Sequence, residues 1–400
     1  MDLSLGESGG ADERVVRGET LASDEPPRAD GGQPLGFEAE DAARGTALGD
    51  KLLPLFGKGR ASVARVASAW YVAATSKELR NKPRACTVLG IPMVLFRDGA
   101  GRAGALLDRC PHRNVPLSLG SVVGGRLECR YHGWRFDGGG VCRHVPSLCG
   151  PSEGKGRRAP AFPTVEQDGF VWVYPTLGEE PKSEPHRFAY VGKPGYTVAR
   201  QTVVAEATLF STLENALDVP HTAFLHRGLF RNESRGITLR ALVDRSADRV
   251  VAEYVGEPRP TGLVARILSP SGGMVTHFDR FLLPSIAQVE YRIGTENHFF
   301  VDTAMTPVSD FVTRIHAVVA FRLRIPGWLV RPFLKPLALR VFQQDARILR
   351  RQTETIRRFG GEQFVSTDID VLGRHIWRLL RSAERAESTS PERTEVELVV

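Results

Sequence analysis

The chain has 400 residues with 42% hydrophobic and 25% charged side chains, a globular balance that allows two or three domains, each with its own core. No apolar run approaches the roughly 18 residues a bilayer span needs, and the N-terminus lacks the basic-then-apolar order of a secretory signal, so a soluble, cytoplasmic chain is expected. Five cysteines (86, 110, 129, 142, 149) are too few and too odd a set for a secreted disulfide scaffold and point to metal or thiol chemistry. Forty glycines and twenty-six prolines exclude an all-helical bundle. The net charge of +7 is uneven: residues 1–50 hold twelve acids against four arginines, which leaves +15 on residues 51–400.

Residues 1–55, centred on DEPPRADGGQP, combine charge, Gly and Pro with few large apolar side chains and are expected to be a disordered acidic extension. Residues 56–178 read, after a lead-in, as a small all-β domain: RACTVLG, IPMVLFRD, AGALLDRC and GFVWVYP are short strands punctuated by turn residues. A Pro- and charge-rich linker, GEEPKSEPHR, opens residues 179–383. There a strand, YTVARQTVVAEA, leads to a helical segment, TLFSTLENALD, and then to long alternating strands between Ile237 and Phe321. A helical stretch follows, with apolar residues at three-and-four spacing from Gly327 to Phe359. Long antiparallel strands with flanking helices make an α+β chain. Residues 384–400 have a tail-like polar composition and are predicted to be flexible.

The segment DRCPHRNVPLSLGSVVGGRLECRYHGW sets Cys110 and His112 as C-x-H and Cys129 and His132 as C-x-x-H, each pair in a loop between strands. A Cys2His2 zinc site uses these ligand types, but zinc fingers group Cys with Cys and His with His. One thiolate and one imidazole from each loop suits a two-iron cluster, with two thiolates on one iron and two imidazoles on the other. This stretch resembles the Rieske [2Fe–2S] motif. Neutral imidazoles in place of two thiolates raise the potential, to roughly −150 to +300 mV in Rieske centres generally. The loops lack the two additional cysteines of the respiratory Rieske proteins, so the resemblance is to the oxygenase and ferredoxin branch. Gly133-Trp134 and Val145-Pro146-Ser147 resemble the shell that keeps water from the cluster. Cys86, Cys142 and Cys149 read as small buried thiols without a role, and His144 as a surface histidine.

In the larger domain, LENALDVPHTAFLHRGLF carries Glu214, Asn215, Asp218, His221 and His226. Two histidines five apart lie about 140° apart on a regular helix, which is weak evidence for a shared ligand. Pro220, directly before His221, lets a helix start anew there. The pattern N-x-x-D-x-x-H-x-x-x-x-H resembles the mononuclear iron motif of Rieske oxygenases, in a chain that already carries the Rieske pattern. A non-haem Fe(II) oxygenase site uses two histidines and one carboxylate on one face of the metal. The resemblance implies a third ligand on a late helix, where FQQDARILRRQ offers Asp345; Asp302 and Asp310 are rivals. It gives Asp218 the role of linking a Rieske histidine of one subunit to an iron-bound histidine of the next, and sets Asn215 beside the iron. Glu214 stays unassigned.

From Trp70-Tyr71 to about Arg381 the chain thus resembles the α subunit of Rieske-type ring-hydroxylating oxygenases, in particular single-subunit-type members of the vanillate and dicamba O-demethylase kind. The resemblance implies a Rieske domain, a helix-grip catalytic domain, a head-to-tail homotrimer, and activity on O2 and a small hydrophobic, ring-containing substrate. It also implies electrons from NAD(P)H through a flavin-dependent reductase, directly or through a ferredoxin. The +15 body is consistent with docking an acidic ferredoxin. Nucleic-acid binding is not expected, because the cations form no run and no nucleic-acid module is present. The basic segment Gly327–Val341 suits a helix packed on the catalytic sheet better than a membrane contact. The rival function is a Rieske electron carrier or redox-regulated protein without oxygenase activity, and a helix-grip binding protein is a third option.

Overall fold

A computed structural model describes residues 61–226, 238–257, 275–294, 297–323 and 326–399. The acidic extension expected over residues 1–55 lies outside the described residues.

The first domain is built from strands β1 (Tyr71–Thr75), β2 (Arg84–Val88), β3 (Ile91–Arg97), β4 (Ala103–Leu107), β5 (Ser121–Val123), β6 (Arg126–Glu128), β7 (Arg135–Phe136), β8 (Cys142–His144), β9 (Ala161–Phe162), β10 (Thr164–Gln167) and β11 (Phe170–Val173). They pair as three small antiparallel sheets, β1-β11-β10, β2-β3-β4-β9 and β5-β6-β7-β8. Strands this short cannot bury much surface alone, so Val94, Phe96, Leu106, Leu127 and Phe136 from two of the sheets share one core with Cys110 and Cys129.

The second domain is one eight-stranded antiparallel sheet of order β12-β18-β17-β16-β15-β14-β13-β19. Its strands are β12 (Thr197–Ala205), β13 (Thr238–Arg245), β14 (Arg249–Val255), β15 (Val275–Leu282), β16 (Ile286–Ile293), β17 (Asn297–Ser309), β18 (Val312–Arg322) and β19 (Glu392–Val399). Among the described residues, four helices accompany it: α1 (Leu209–Ala216), α2 (His221–Leu225), α3 (Gly327–Arg358) and α4 (Gly373–Glu384). Thr208 caps α1, its hydroxyl accepting from the Ser211 N–H at 3.0 Å. The start of α3 lies close to β12: a Cβ on Gly327 would fall 1.8 Å from Thr197 Oγ1, so no larger residue fits there. Among the described residues, no helix is long and apolar enough to cross a membrane.

The two domains share a core. Trp70, Val72, Phe170 and Trp172 of the first pack with Ile286, Ala304 and Val318 of the second. Backbone hydrogen bonds cross the junction, from Leu89 N–H to Pro307 O at 2.7 Å and from Gly90 N–H to Val308 O at 2.9 Å. This fixes the β domain on strands β16, β17 and β18 of the eight-stranded sheet.

Two expectations are corrected. The C-terminal segment is not a loose tail: β19 pairs along its whole length with β13, from Glu392 opposite Arg245 to Val399 opposite Thr238. Its acidic residues hid a period of two, in which Glu395 and Glu397 face outward and Val396 and Leu398 inward. Cys86 and Cys142 are buried as expected, but Cys149 is exposed, in a polar loop that no strand covers.

Arg245 anchors the added strand. Its side chain is only 2% exposed, and its guanidinium reaches Glu392 at 2.7 Å and donates to Ser390 O at 3.0 Å. Removing one partner of a buried pair leaves the other uncompensated. Arg245→Ala is expected to lower unfolding stability by about 3 kcal/mol in a urea titration, with a smaller loss for Glu392→Gln, whose site is partly in water.

Candidate metal centres

The first centre lies where two loops of the β domain meet. In one loop the Cys110 N–H donates to Val115 O and the Asn114 N–H to Cys110 O, both at 2.9 Å. In the other the Cys129 N–H donates to Trp134 O at 2.8 Å and the Gly133 N–H to Cys129 O at 3.0 Å. These tight turns bring both cysteines into the core, 1% and 2% exposed, while the histidines stand further out. Asp108 accepts from the Ser118 N–H and hydroxyl at 2.7 and 2.6 Å and so closes the first loop. Gly133 has φ +66°, and a Cβ there would meet the Pro146 ring at 2.9 Å. Glycine is therefore required on both counts.

The four side chains fit a two-iron cluster. The His112 and His132 rings lie 4.5 Å apart, edge to face. His112 stacks on Trp134 at 4.7 Å, and its buried Nδ1 has no hydrogen-bond partner, as befits a nitrogen aimed at a metal. Burial pushes the Cys110 thiol up to about 12, against the pull of the His112 and Arg113 backbone N–H groups, so only a cation held beside it would keep it as a thiolate. A second group of ligand atoms, all within 4.8 Å of one another, belongs to a trio elsewhere in the chain.

That trio is His221, His226 and Asp345. Helix α1 ends at Ala216, and α2 restarts at His221 with Pro220 as its cap. His226 falls just past the end of α2, at φ −108° and ψ 33°, and so leaves the helical path. The two rings stand 5.2 Å apart, edge to face. Their Nε2 atoms lie 3.7 Å (His221) and 3.0 Å (His226) from Asp345 Oδ1, which α3 carries across from the far end of the chain.

The other ring nitrogens are held. His221 Nδ1 donates to the Asp218 carbonyl at 2.5 Å and lies 3.4 Å from the Asp218 carboxylate. His226 Nδ1 donates to Gln344 Oε1 at 3.0 Å. With each Nδ1 held by an acceptor, the Nε2 atoms are the ones that face Asp345, the arrangement in which they would serve as metal ligands. Burial disfavours charge on His221, yet Asp218 and Asp345 outweigh it and raise its pKa to about 9. Burial would likewise raise Asp345, but the two imidazoles hold its carboxyl below the ordinary range. The site thus favours positive charge at the position a metal ion would take, and the donor set suits ferrous iron.

The rivals of Asp345 are used elsewhere. Asp302 lies in β17 and accepts from His186 Nε2 at 3.0 Å, and Asp310 pairs with Arg65 at 2.9 Å. Asn215, Asp218 and Glu214 line a cavity of about 1100 Å³ that also reaches His221, Tyr254 and Arg374. Gln344 was not anticipated, although it directly precedes Asp345 and so shares the turn of α3 that meets the histidines.

Residues 69–160 match the Rieske [2Fe-2S] domain, and residues 205–386 match the vanillate O-demethylase oxygenase C-terminal domain. The oxygenase component of dicamba O-demethylase from Stenotrophomonas maltophilia is 38% identical over 170 residues, 40% of this chain and 48% of that protein. Aminopyrrolnitrin oxygenase PrnD from Pseudomonas fluorescens is 26% identical over 68% of this chain and 78% of its own length. Protein TIC 55 of Arabidopsis thaliana, a chloroplastic protein, is 29% identical over 72% of this chain and 53% of its own length. The chain therefore spans about half the length of some curated relatives it matches. Among solved structures, dicamba monooxygenase bound to dicamba has the same fold, with a TM-score of 0.70 at 24% identity over 81% of this chain and 99% of that one. With both of its characteristic domains in order, the chain belongs to the Rieske-type non-haem iron oxygenases, whose cofactors are a [2Fe–2S] cluster and a mononuclear iron.

Proposed function

We propose that the chain is the cytoplasmic terminal oxygenase component of a Rieske system, with Cys110, His112, Cys129 and His132 holding the cluster and His221, His226 and Asp345 the iron. The observation that carries this reading is the convergence of that trio within 4.8 Å in a chain that also carries the two cluster loops. When bound, the cluster supplies electrons one at a time and the ferrous iron the reduction of dioxygen beside the substrate. The electrons come from NAD(P)H through a flavin-dependent reductase, directly or through a ferredoxin. The substrate is a small hydrophobic molecule with a ring. Hydroxylation, O- or N-demethylation, desaturation and oxidative ring closure all begin with similar C–H chemistry, and the ligand set serves each.

The protein's own groups orient and shield. Asp218 and Gln344 fix the histidine tautomers, and the burial of His226 keeps water from one side of the site. Asp218 serves as the link between centres of neighbouring copies in a head-to-tail homotrimer. Two surfaces support that assembly. The cluster loops expose Leu119 and Tyr131 beside Arg113 and Arg130, while the mouth of the cavity over Asp218 exposes Phe224 and Val365 beside Glu214 and Asp370. Apolar area stands on both, the cluster loops are basic, and the cavity, which Arg374 also lines, brings the carboxylates of Asp218 and Asp370.

Metal analysis separates this reading from an electron carrier. The oxygenase carries about three irons per chain and the carrier about two. His221→Ala is expected to bring an oxygenase from about three to about two irons with its Rieske absorption intact, and loss of both centres together would count against separable sites. Asp218→Asn should retain all the iron while substrate-dependent oxygen consumption with a surrogate reductase falls about a hundredfold. Full activity in that variant would remove the linking role.

A further inference from the structure

Helix α3 packs on the catalytic sheet, as the sequence suggests, but along one side only. Val330, 6% exposed, and Leu337 cluster with Phe299, Phe321 and Leu323. The opposite side of its first turns stands clear of the protein: Trp328 is 72%, Phe333 70% and Leu329 45% exposed. Pro332 and Pro336 are exposed with them. At about 100° per residue these five side chains share an arc of about 140°. Soluble surfaces scatter large apolar residues singly, and a contiguous apolar face marks a place that something covers.

The charge around the face says what covers it. From Arg322 to Gln344 the sequence holds five cations and no acid. Arg331 borders the arc and Arg340 extends it along the helix; both are exposed, and neither has an ion-pair partner among the described residues. Arg331 also lines, with Trp328, Pro332 and Pro336, an open groove of about 590 Å³ beside the helix. Two copies of such a face would repel each other through the same cations. A protein partner would be read by directional hydrogen bonds, yet beyond the Trp328 indole and the cations the exposed side chains here are apolar. Pro332 and Pro336 also lack the N–H groups that the carbonyls of Trp328 and Pro332, four residues back, would accept from. Those carbonyls need water, which suits the wet interface of a bilayer and not its hydrocarbon interior.

We propose that this outer face of α3 binds the surface of an anionic lipid bilayer, with Trp328, Leu329 and Phe333 inserted and Arg331 and Arg340 at the head groups. On the oxygenase reading, the contact keeps the enzyme at the phase in which apolar ring compounds collect.

The test is sedimentation of the full chain with vesicles of phosphatidylcholine alone, or with about one-third phosphatidylglycerol, in about 0.1 M salt. Binding to the anionic vesicles is expected to be at least about tenfold tighter. Trp328→Ala with Phe333→Ala should weaken it at least about tenfold, and Arg331→Glu with Arg340→Glu should remove the preference for anionic lipid. Lys77→Glu with Lys82→Glu reverses two exposed cations of the β domain and should change binding by less than about threefold. No binding to either vesicle, equal binding to both, or equal losses in the two charge-reversed proteins would overturn the proposal, the last by showing diffuse attraction to a basic body. It is overturned in favour of a contact between copies if the aromatic pair of substitutions alters the oligomeric state and leaves vesicle binding intact. If that pair does not fold, as its Rieske absorption would show, the wild-type preference and the charge-reversed proteins decide. Iron per chain does not enter these measurements, so failure of the oxygenase reading is seen separately, as about two irons instead of about three.

Discussion

Two histidines five residues apart on an unbroken helix diverge by about 140° and cannot meet at one ion. His221 and His226 meet because the backbone departs from the helix on both sides of them: α1 stops at Ala216, Pro220 starts α2, and His226 lies beyond its last turn. Everything else at the proposed iron site depends on that double break. It turns both Nε2 atoms toward Asp345 and leaves both Nδ1 atoms to be fixed by Asp218 and Gln344. The cost of two short helices is met by packing, since Leu209, Phe210, Leu213 and Leu217 are all buried.

The sheet supplies the rigidity that the broken helix lacks. Its eight strands pair without interruption from β12 to β19, and α3 packs along β12 as it carries Asp345 to the histidines. Buried charge on this platform is paired. Asp302 holds His186, Asp310 holds Arg65, and Glu290, kept near pKa 2 against its own burial by His298 and Arg280, closes a network on the strands beside them. Such pairs add little net stability but penalise any register that would separate them.

What the sequence made legible follows from how local each signal is. Cys110, His112, Cys129 and His132 sit in two loops of one short stretch, and their types and spacing already separate a cluster from a zinc finger. The break at Pro220 is equally local. Asp345 is not: only the resemblance selected it over Asp302 and Asp310, because the choice depends on which long-range partner each carboxylate finds. The stack of Tyr254, His277 and Tyr291 rings was illegible, since it exists only once β14, β15 and β16 take their register. Strand β19 was hidden by composition, its glutamates suggesting a solvated tail where their alternation with Val and Leu fits an edge strand.

Glu214, which the sequence left without a role, is tied electrically to the other carboxylates in and around the cavity. Burial, and then Asp370, Asp218 and Glu362, push its pKa up to about 7, so in the isolated chain it keeps its proton well above the ordinary carboxyl range. A raised carboxyl pKa means that the folded chain holds a proton the unfolded chain has lost, so this residue's contribution to stability falls as pH rises from about 4.5 toward 7. On the trimeric reading the sense of the effect is useful. Arg113 and Arg130 of an arriving neighbour would bring positive charge to the cavity mouth, which favours the ionised form of Glu214 and removes part of that penalty. A carboxylate that destabilises the free chain would thus favour the assembled one, and it does so one helical turn before Asp218, the residue proposed to join the two centres.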